Sequence, residues 1–246
     1  MSGNESANGL EHSRRVREMF GAIAGKYDLL NHLLSGNIDK RWRRLVAKSV
    51  HASLPAGGRA DVTILDVACG TGDLSLTLLQ GGKARIIGLD FCRPMLRIAQ
   101  SKAAKGGDVL PFIEGDALKL PFDDEAFDAV TIAFGLRNLA NVELGIKELT
   151  RVLKPNGRLF VLEFSKPQIP ILRSLFQLYF TRLLPLFGGL ISGSRRAYEY
   201  LPDSVSHFPN QQGLASLMSQ AGLSEVSFEN LTGGIAALHI GKRPVI

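Results

Sequence analysis

The sequence lacks the features that mark secreted proteins, membrane-spanning proteins and proteins with a structural metal site. It has two cysteines, Cys69 and Cys92, and no CxxC pair, which argues against a disulfide framework or a structural metal site. No stretch approaches the run of about 20 apolar residues that a membrane-spanning helix needs. The polar N-terminus, MSGNESANGLEHS, has no apolar segment typical of a signal peptide. These absences predict a cytoplasmic protein in which both thiols are small, buried and inert.

The charge is unbalanced towards the basic side. Lys and Arg number 29 against 23 Asp and Glu, which gives a net charge of +6. A basic surface favours an anionic partner, either nucleic acid or membrane headgroups. A solvated basic protein with no such partner gives the same count, so charge alone does not choose between them.

The pattern of apolar residues divides the chain into three segments. Residues 1–12 are polar and are predicted to form a disordered tail. Residues 13–55 have apolar residues at helical spacing, although Gly21 and Gly25 are expected to weaken the first helix. Residues 56–246 alternate β-branched segments with helical ones. Such alternation predicts an α/β fold with a doubly wound, mostly parallel sheet covered by helices on both faces.

Strand positions follow from this alternation, and the last two predicted strands form a pair with no helix between them. The predicted strands span residues 63–68, 84–89, 109–114, 127–134, 157–164, 224–229 and 236–242. In such sheets, ligands bind at the carboxyl ends of the strands. The residues that follow each strand are therefore the candidates for a binding site.

A glycine pair follows the first predicted strand in the sequence LDVACGTGDLS. Gly70 and Gly72 allow a sharp turn and a close approach of the backbone to a ligand that a Cβ atom would block. The dinucleotide fingerprint GxGxxG requires a third glycine, and this chain has Ser75 in its place. The loop therefore indicates a nucleotide-type cofactor other than a dinucleotide.

Acidic residues near the strand ends indicate which cofactor the loop serves. Asp66 and Asp73 flank it, and carboxylates there would repel a pyrophosphate but suit a cationic ligand. S-adenosylmethionine has a sulfonium and no phosphate, so the charge pattern favours it over NAD. Asp90 closes the second strand, where a carboxylate can accept hydrogen bonds from both ribose hydroxyls. Asp116 follows the third strand and is placed to accept from the adenine amino group, while Ala117 offers a backbone N–H.

The stretch from Asp66 to Phe164 resembles class I S-adenosylmethionine-dependent methyltransferases. DVACGTGDLS, GLDFCRPML, GDALKLPFDDEAFDAV and LTRVLKPNGRLFVLEFSKP look like the successive motifs of that superfamily. The resemblance implies a Rossmann-like, seven-stranded sheet with an antiparallel last strand and an N-terminal helical lid, residues 13–55. The cofactor contacts that it implies are Thr71, Asp90, Asp116 and Ala117.

Three flanking motifs narrow the resemblance. VREMFGAIAGKYDLLNHLLSGNIDKRWRR, IAFGLRNL and YEYLPDSVSHFP are similar to segments of the quinone-biosynthesis C-methyltransferases. This implies C-methylation of a polyprenyl quinol, with demethylmenaquinol as the first choice and the benzoquinol precursor of ubiquinone as the alternative. One position departs from the pattern, because some relatives have a cofactor-binding serine just before FGLRN and this chain has Ala133.

Methylation of a quinol carbon needs an electron-rich ring, which an enzyme obtains by stabilising a phenolate. Arg137 is the predicted cation for that phenolate, with a salt bridge to a neighbouring carboxylate as its alternative role. His207 is the candidate general base, because imidazole exchanges a proton near neutral pH. Tyr27, Tyr198 and Tyr200 are candidates for hydrogen bonds at the site or for packing. The reaction requires no metal, and the sequence shows no metal-ligand cluster.

The apolar segment 168–196 has sparse arginines and is predicted to contact the prenyl tail or the membrane interface. The basic sequence IDKRWRR adds attraction to lipid headgroups. A peripheral position at the inner face of the membrane is therefore expected. The alternative is a buried hairpin that lines a tail tunnel or forms a homodimer contact.

Three other function classes stay open. A nucleic-acid methyltransferase would suit the basic charge, but its Asn-Pro-Pro-Tyr-type signature is replaced by FGLRN, so no nucleic-acid partner is expected. The basic residues also lack interleaved aromatic residues for base stacking. A non-catalytic cofactor-binding or scaffold protein is the second class, and the intact loop with its three acidic residues argues against the decayed site expected of it. An NAD oxidoreductase would need the missing third glycine.

Overall fold

A computed structural model of the protein describes residues 2–54, 62–81, 84–170, 173–174, 178 and 195–245. Residues 55–61, which precede the first strand, and most of the apolar segment 168–196 lie outside the described residues. Within the part of the chain that is described, no helix combines the length and apolar character needed to cross a membrane.

Helices and strands alternate along the central part of the chain. The helices are α1 (Ser2–Leu34), α2 (Ile38–Ser53), α3 (Asp73–Gln80), α4 (Arg93–Gly106), α5 (Val142–Arg151), α6 (Arg195–His207) and α7 (Gln211–Gln220). The strands are β1 (Thr63–Val67), β2 (Arg85–Asp90), β3 (Phe112–Glu114), β4 (Phe127–Ala133), β5 (Leu153–Phe164), β6 (Ser224–Leu231) and β7 (Ala236–Lys242). A short 3-10 helix, Leu136–Asn138, follows β4.

The strands form one seven-stranded sheet in the order β3-β2-β1-β4-β5-β7-β6. Strands β1 to β5 pair in parallel, and β7 is antiparallel to both of its neighbours. The predicted α/β class, with a mostly parallel sheet and an antiparallel last strand, is confirmed. The strand order reverses beside β1, which pairs with β2 on one side and β4 on the other. A ligand crevice is expected at the carboxyl ends of those strands.

Apolar side chains on both faces of the sheet form two core layers. Leu65 and Val67 on β1 contribute to one layer, which α5 and α7 complete. Ile64 lies in the other layer with Val46 on α2 and Leu78 on α3. The alternation follows from the strand geometry, in which successive side chains point to opposite faces. Burial of apolar surface on both sides holds the strand-end loops in fixed positions.

Helix α1 is continuous, which differs from two expectations. It includes residues 2–12, for which the sequence predicts a disordered tail, and it passes through Gly21 and Gly25 without a break. At Gly21 a Cβ atom would lie 3.7 Å from Pro94, so this glycine sits where the helix packs closely on α4. Tertiary packing therefore outweighs the low helix propensity of glycine at this position.

Candidate active site

A cleft opens between the strand-end loops and helix α1. One wall comes from α1 and includes Ser13, Phe20 and Tyr27. The opposite wall comes from the loops after β1, β2, β3 and β4, and its residues include Gly70, Asp90, Asp116, Ala117 and Ala133. The structure therefore brings residues from separate predicted motifs into a single cleft.

The glycine loop has left-handed backbone at Ala68, Gly70 and Gly72, with φ values of 51°, 55° and 82°. A Cβ atom on Gly70 would meet no atom within 4 Å, so this position leaves open space at the cleft. A Cβ atom on Gly72 would lie 3.0 Å from the Cβ atom of Ala99 and 3.1 Å from Phe112. Gly70 leaves room for a ligand, whereas Gly72 lets the loop pack on α4 and β3.

Asp90 closes β2 and joins two loops of the site. Its carboxylate accepts the N–H of Gly70 at 2.8 Å on one oxygen and the N–H of Cys92 at 2.8 Å on the other. Burial raises the pKa of Asp90 to about 6, and the amide hydrogen bonds offset only part of that rise. Each carboxylate oxygen has a second lone pair, so Asp90 is still able to accept from ribose hydroxyls.

Asp116 and Ala117 lie beyond β3 on the same wall as Asp90. Asp116 is exposed, and its Oδ1 accepts the N–H of Leu118 at 2.9 Å. An isolated antiparallel β-bridge between the backbones of Asp116 and Lys119 fixes the turn. The buried Ala117 gives an apolar surface beside the exposed carboxylate, which suits an adenine ring with an amino group at its edge.

Asp66 and Asp73 do not form the anionic wall that the sequence predicts beside the loop. Asp66 is 1% exposed and accepts hydrogen bonds from the hydroxyls of Ser75 at 2.5 Å and Thr131 at 2.8 Å. Burial raises the pKa of Asp66 to about 6. Asp73 pairs with Lys102 at 2.6 Å, which offsets its charge. The structure thus corrects the electrostatic argument, and Asp66 is not among the residues that line the cleft.

The Thr71 side chain also has a different partner from the predicted one. Thr71 is 3% exposed, and its hydroxyl donates to Oδ1 of Asp28 on α1 at 2.5 Å. Neither Thr71 nor Gly72 is among the residues that line the cleft. Of the predicted cofactor residues, the lining therefore includes Gly70, Asp90, Asp116 and Ala117.

His32, Asp39 and Asp73 come together behind the loop, with potential ligand atoms within 4.8 Å of one another. Sequence spacing gives no sign of this cluster. Both carboxylates already have cationic partners, because Arg43 pairs with Asp39 and Lys102 with Asp73. The Nδ1 atom of His32 lies 2.8 Å from Asp39. The cluster is therefore an ion-pair network that joins α1, α2, α3 and α4.

Arg137 follows β4 and forms a buried ion pair with Glu163 on β5. Its Nη1 atom lies 2.9 Å from Oε2 of Glu163, and the two side chains are 6% and 1% exposed. The same nitrogen donates to the carbonyl oxygen of Phe134 at 2.6 Å. This is the salt bridge that the sequence offers as the alternative role of Arg137. A cation fixed in this way is also preorganised to stabilise a developing anion.

Two tyrosines lie within the electrostatic influence of Arg137. Burial raises the pKa of Tyr27 and of Tyr200, and the positive charge of Arg137 counteracts part of each rise. The Tyr200 hydroxyl donates to Oδ1 of Asn138 at 3.2 Å, and Asn138 and Tyr27 both line the cleft. Sequence reasoning did not single out Asn138 or Glu163, although both occur in the quoted motifs IAFGLRNL and LEFSKP at strand ends.

His207 lies on the last turn of α6, away from these groups. Its side chain is 78% exposed, its Nδ1 atom lies 2.9 Å from the carbonyl oxygen of Asp203, and it is not among the lining residues. The predicted general base thus has no geometric support. The Tyr198 side chain lies outside the described residues. Burial raises the pKa of both cysteine thiols, Cys69 and Cys92, as expected for unreactive groups.

Comparison with known proteins identifies the family. The model of the ubiE/COQ5 methyltransferase family matches residues 8–243. The chain belongs to this family. A demethylmenaquinone methyltransferase from Thermus thermophilus is 51% identical over 92% of this chain and 100% of the relative. A ubiquinone/menaquinone biosynthesis C-methyltransferase UbiE from Pseudomonas paraeruginosa is 40% identical over 95% of this chain and 91% of the relative.

Solved structures share the fold at low identity. The cyclase SpnF matches with a TM-score of 0.70 and 20% identity, over 95% of this chain and 97% of that one. An S-adenosylmethionine-dependent methyltransferase from Thermotoga maritima matches with a TM-score of 0.61 and 20% identity, over 92% of this chain and 99% of that one. Because one of these neighbours is named as a cyclase, the fold alone does not define the reaction.

The residues of the cleft fit S-adenosylmethionine, the cofactor of this methyltransferase family. The fit rests on the open space at Gly70, the accepting carboxylate of Asp90 and the exposed carboxylate of Asp116 beside Ala117. With Ala133 in the cleft, the serine contact of some relatives is replaced by a methyl group. The cleft of this ubiE/COQ5 chain thus offers main-chain groups and carboxylates to a cofactor.

Proposed function

We propose that this ubiE/COQ5 family protein methylates a ring carbon of a polyprenyl quinol, with demethylmenaquinol as its substrate. The observation that carries the proposal is the 51% identity to the Thermus demethylmenaquinone methyltransferase over the whole length of that relative. A relative from Desulfitobacterium hafniense with the same name is 39% identical over 96% of this chain. The cleft supports the proposal, because Tyr27 lines it, and because Tyr200 and the buried Arg137 each hydrogen-bond to one of its lining residues, Asn138 and Phe134.

Residues at the strand ends would hold the cofactor in this proposal. Asp90 would accept from the ribose hydroxyls, Asp116 and Ala117 would contact the adenine, and the backbone at Gly70 would approach the amino-acid end. When bound, S-adenosylmethionine supplies an electrophilic methyl group on its sulfonium. Phe20 and the rest of the α1 wall would exclude water and fix the orientation of the reacting groups.

Arg137 would stabilise the quinol oxygen as it becomes anionic. The Nε atom of Arg137 is buried and has no hydrogen-bond partner among the described residues, so it is a donor that an oxyanion could use. Tyr27 and Tyr200 keep their protons at neutral pH, because burial raises the pKa of each phenol. Tyr27 would therefore act as a hydrogen-bond donor, whereas the proton of Tyr200 is already donated to Asn138. The proton acceptor is not assigned by this geometry, and His207 stays a prediction.

The benzoquinol precursor of ubiquinone is the second candidate substrate. The observation that favours it is that the Pseudomonas relative is named for both ubiquinone and menaquinone biosynthesis. Both substrates have a ring hydroxyl that Arg137 would stabilise in the same way. The headgroup choice is therefore a question of pocket shape.

A parallel methyl-transfer assay tests the proposal. The purified protein is supplied in detergent with methyl-labelled S-adenosylmethionine and with either reduced demethylmenaquinone or the demethylated benzoquinol. We expect label in the naphthoquinol at the higher kcat/KM. Equal or faster labelling of the benzoquinol would favour the second candidate. Label in neither quinol, with cofactor binding intact, would contradict quinol methylation.

We also propose peripheral binding to anionic lipid, through one face of α2. Trp42, Val46 and Val50 on this helix are buried. Its opposite face is exposed and basic, with Lys40, Arg41, Arg44 and Lys48. A prenylated substrate resides in the membrane, so attraction of this face to lipid phosphates would raise the local substrate concentration.

Vesicle sedimentation tests the lipid proposal. The Arg41→Gln/Arg44→Gln variant is expected to bind anionic vesicles several-fold more weakly than wild type at low salt, since each basic residue contributes about 1 kcal/mol near such a surface. Arg97→Gln/Lys105→Gln, two exposed cations on α4, is the matched control with the same net charge. An equal loss in both variants would indicate a general charge effect and contradict a role for α2.

A further inference from the structure

Lys102 on α4 lies where helix α1, the start of α3 and the glycine loop meet. Its Nζ atom is 2.6 Å from Oδ2 of Asp28 on α1 and 2.6 Å from Oδ1 of Asp73 at the start of α3. The other oxygen of Asp28 accepts the hydroxyl hydrogen bond of Thr71 in the glycine loop at 2.5 Å. We call Lys102, Asp28, Asp73 and Thr71 the Lys102 junction.

Lys102 bridges two carboxylates only when α1 lies against the loop, and its single positive charge offsets one of their two negative charges. Lys102 contacts two carboxylates at once, and their side chains are 24–27% exposed, so water screens them only in part. Without the ammonium group, Asp28 and Asp73 would face one another as like charges. Their repulsion would push α1 away from the glycine loop.

The junction also sets the position of one wall of the cofactor cleft. Asp28 directly follows Tyr27, whose side chain lines the cleft. Thr71 directly follows Gly70, which lines the opposite wall. A hydrogen bond between Thr71 and Asp28 therefore fixes the distance between the two walls at their shared edge.

We propose that Lys102 is a positioning residue that holds α1 closed over the bound cofactor. By bridging Asp28 and Asp73 and reducing their repulsion, it lets Asp28 bind the Thr71 hydroxyl and keeps the α1 wall in place. The family's cofactor site lies under that wall, so release of S-adenosylmethionine requires the junction to open. The inference rests on the cofactor site and needs no quinol, so its test is independent of the quinol-methylation assay.

The first experiment measures release of radiolabelled S-adenosylmethionine during a chase with unlabelled cofactor. Lys102→Met should raise the dissociation rate about tenfold, as expected for removal of one partner from a partly buried charge network. The KM for the cofactor should rise with it, while kcat changes less. Lys102→Arg should restore slow release. Lys105→Met, an exposed lysine on the same helix, is the matched control and should release the cofactor at the wild-type rate.

Two readouts separate positioning from a general loss of stability. Added NaCl should speed cofactor release from the wild type and have little effect on Lys102→Met, because only the former has the ion pairs to screen. Adding Asp28→Asn to Lys102→Met should slow release again, since it removes one of the two repelling charges. The wild-type salt dependence provides a test even if Lys102→Met folds poorly.

Wild-type release rates in Lys102→Met would overturn the proposal. The same conclusion would follow if Lys105→Met released the cofactor equally fast. A lowered thermal midpoint in Lys102→Met with unchanged cofactor release would also overturn it, because that result describes a purely structural ion pair.

Discussion

At the scale of the residue, two buried carboxyls on neighbouring strands show how position decides role. Asp90 ends β2 and lines the cleft, whereas Asp66 is one residue short of the end of β1 and bonds to Ser75 and Thr131. Burial raises the pKa of each to about 6. Only Asp90 lines the cleft, so only Asp90 should couple its protonation to cofactor binding.

Cofactor affinity should rise with pH through about pH 6. Ribose hydroxyls donated to the Asp90 carboxylate favour its charged form, so binding lowers the pKa of about 6 that Asp90 has in the free protein. We expect binding about tenfold weaker at pH 5 than at pH 7, measured by calorimetry. Asp90→Asn should bind the cofactor more weakly, with an affinity that does not change with pH. The cofactor affinity of Asp66→Asn should depend on pH as it does in wild type. A sloping profile in Asp90→Asn would assign the effect to another group.

Loss of the Arg137 charge should affect turnover more than cofactor binding. Arg137→Gln is expected to lower kcat by about 100-fold, the scale seen when one donor to an oxyanion is removed. The change leaves Glu163 buried without its cation, so Arg137→Gln/Glu163→Gln is the variant that keeps the charge balanced. Cofactor affinity of the double variant should match wild type. Normal kcat in the double variant would show that the ion pair is structural.

The strand-end acids were predictable, and their neighbours were not. Asp90 and Asp116 follow from the rule that parallel strands end at one edge of the sheet. The burial of Asp66 depends on which face of β1 its side chain takes, and the sequence shows no signal for that choice. Lys102 and Asp28 are 74 positions apart in the sequence, and their pairing arises only from the packing of α1 on α4.

At the scale of the element, α1 differs from its prediction because of contacts made far along the chain. His12 lies 3.2 Å from the carbonyl oxygen of Asn138, and a Cβ atom on Gly9 would lie 3.6 Å from Ala140. Polar residues of low helix propensity are ordered there by the wall they cover. The fully buried apolar positions of α1 begin later, at Val16.

Deletion of residues 1–12 should separate these two parts of α1. The thermal midpoint should change little, because Val16, Ile23 and Ala24 remain buried. The KM for cofactor or quinol should rise about fivefold, the scale of one lost hydrogen bond. His12→Ala should reproduce part of the rise, with Glu11→Ala as the exposed control. Unchanged kinetics in the deletion variant would instead favour the disordered tail that the sequence predicts.

At the scale of the whole molecule, the sheet was predictable because its signals are local and repeated. β-branched segments alternate with helical ones, and five of the seven strands begin and end within two residues of their predicted bounds. β3 begins three residues later than predicted, and β5 begins four residues earlier. The antiparallel direction of β7 was expected from the resemblance, whereas its position between β5 and β6 was not predicted, since pairing order depends on contacts between distant segments. The network of His32, Asp39 and Asp73 was unpredictable for the same reason.

The buried carboxyls should also shape the pH dependence of stability. The folded pKa of Asp66, about 6, lies above its ordinary value of 3.8, so the native state holds a proton that the unfolded chain releases between these values. Its contribution to the free energy of unfolding should therefore increase as pH falls from 7 to 5. Asp66→Asn should lose this gain, measured as the difference in thermal midpoint between the two pH values.

His239 is the internal comparison for that measurement. Burial lowers the pKa of His239, so acidification favours the unfolded state through this residue. It is present in both wild type and Asp66→Asn, and its effect cancels when the two are compared. An identical change of thermal midpoint with pH in wild type and in Asp66→Asn would show that Asp66 titrates at its ordinary pKa.

The contacts of α1 have a consequence for synthesis on the ribosome. The helix emerges first, yet Thr71, Lys102 and Asn138, to which it binds, are translated later, and Asn138 comes 126 residues after His12. A nascent chain therefore carries the apolar side of α1 uncovered until Cys92 and Met95, which pack against Ala24, have left the exit tunnel. During that interval this side is available to chaperones, and the cofactor cannot yet be enclosed.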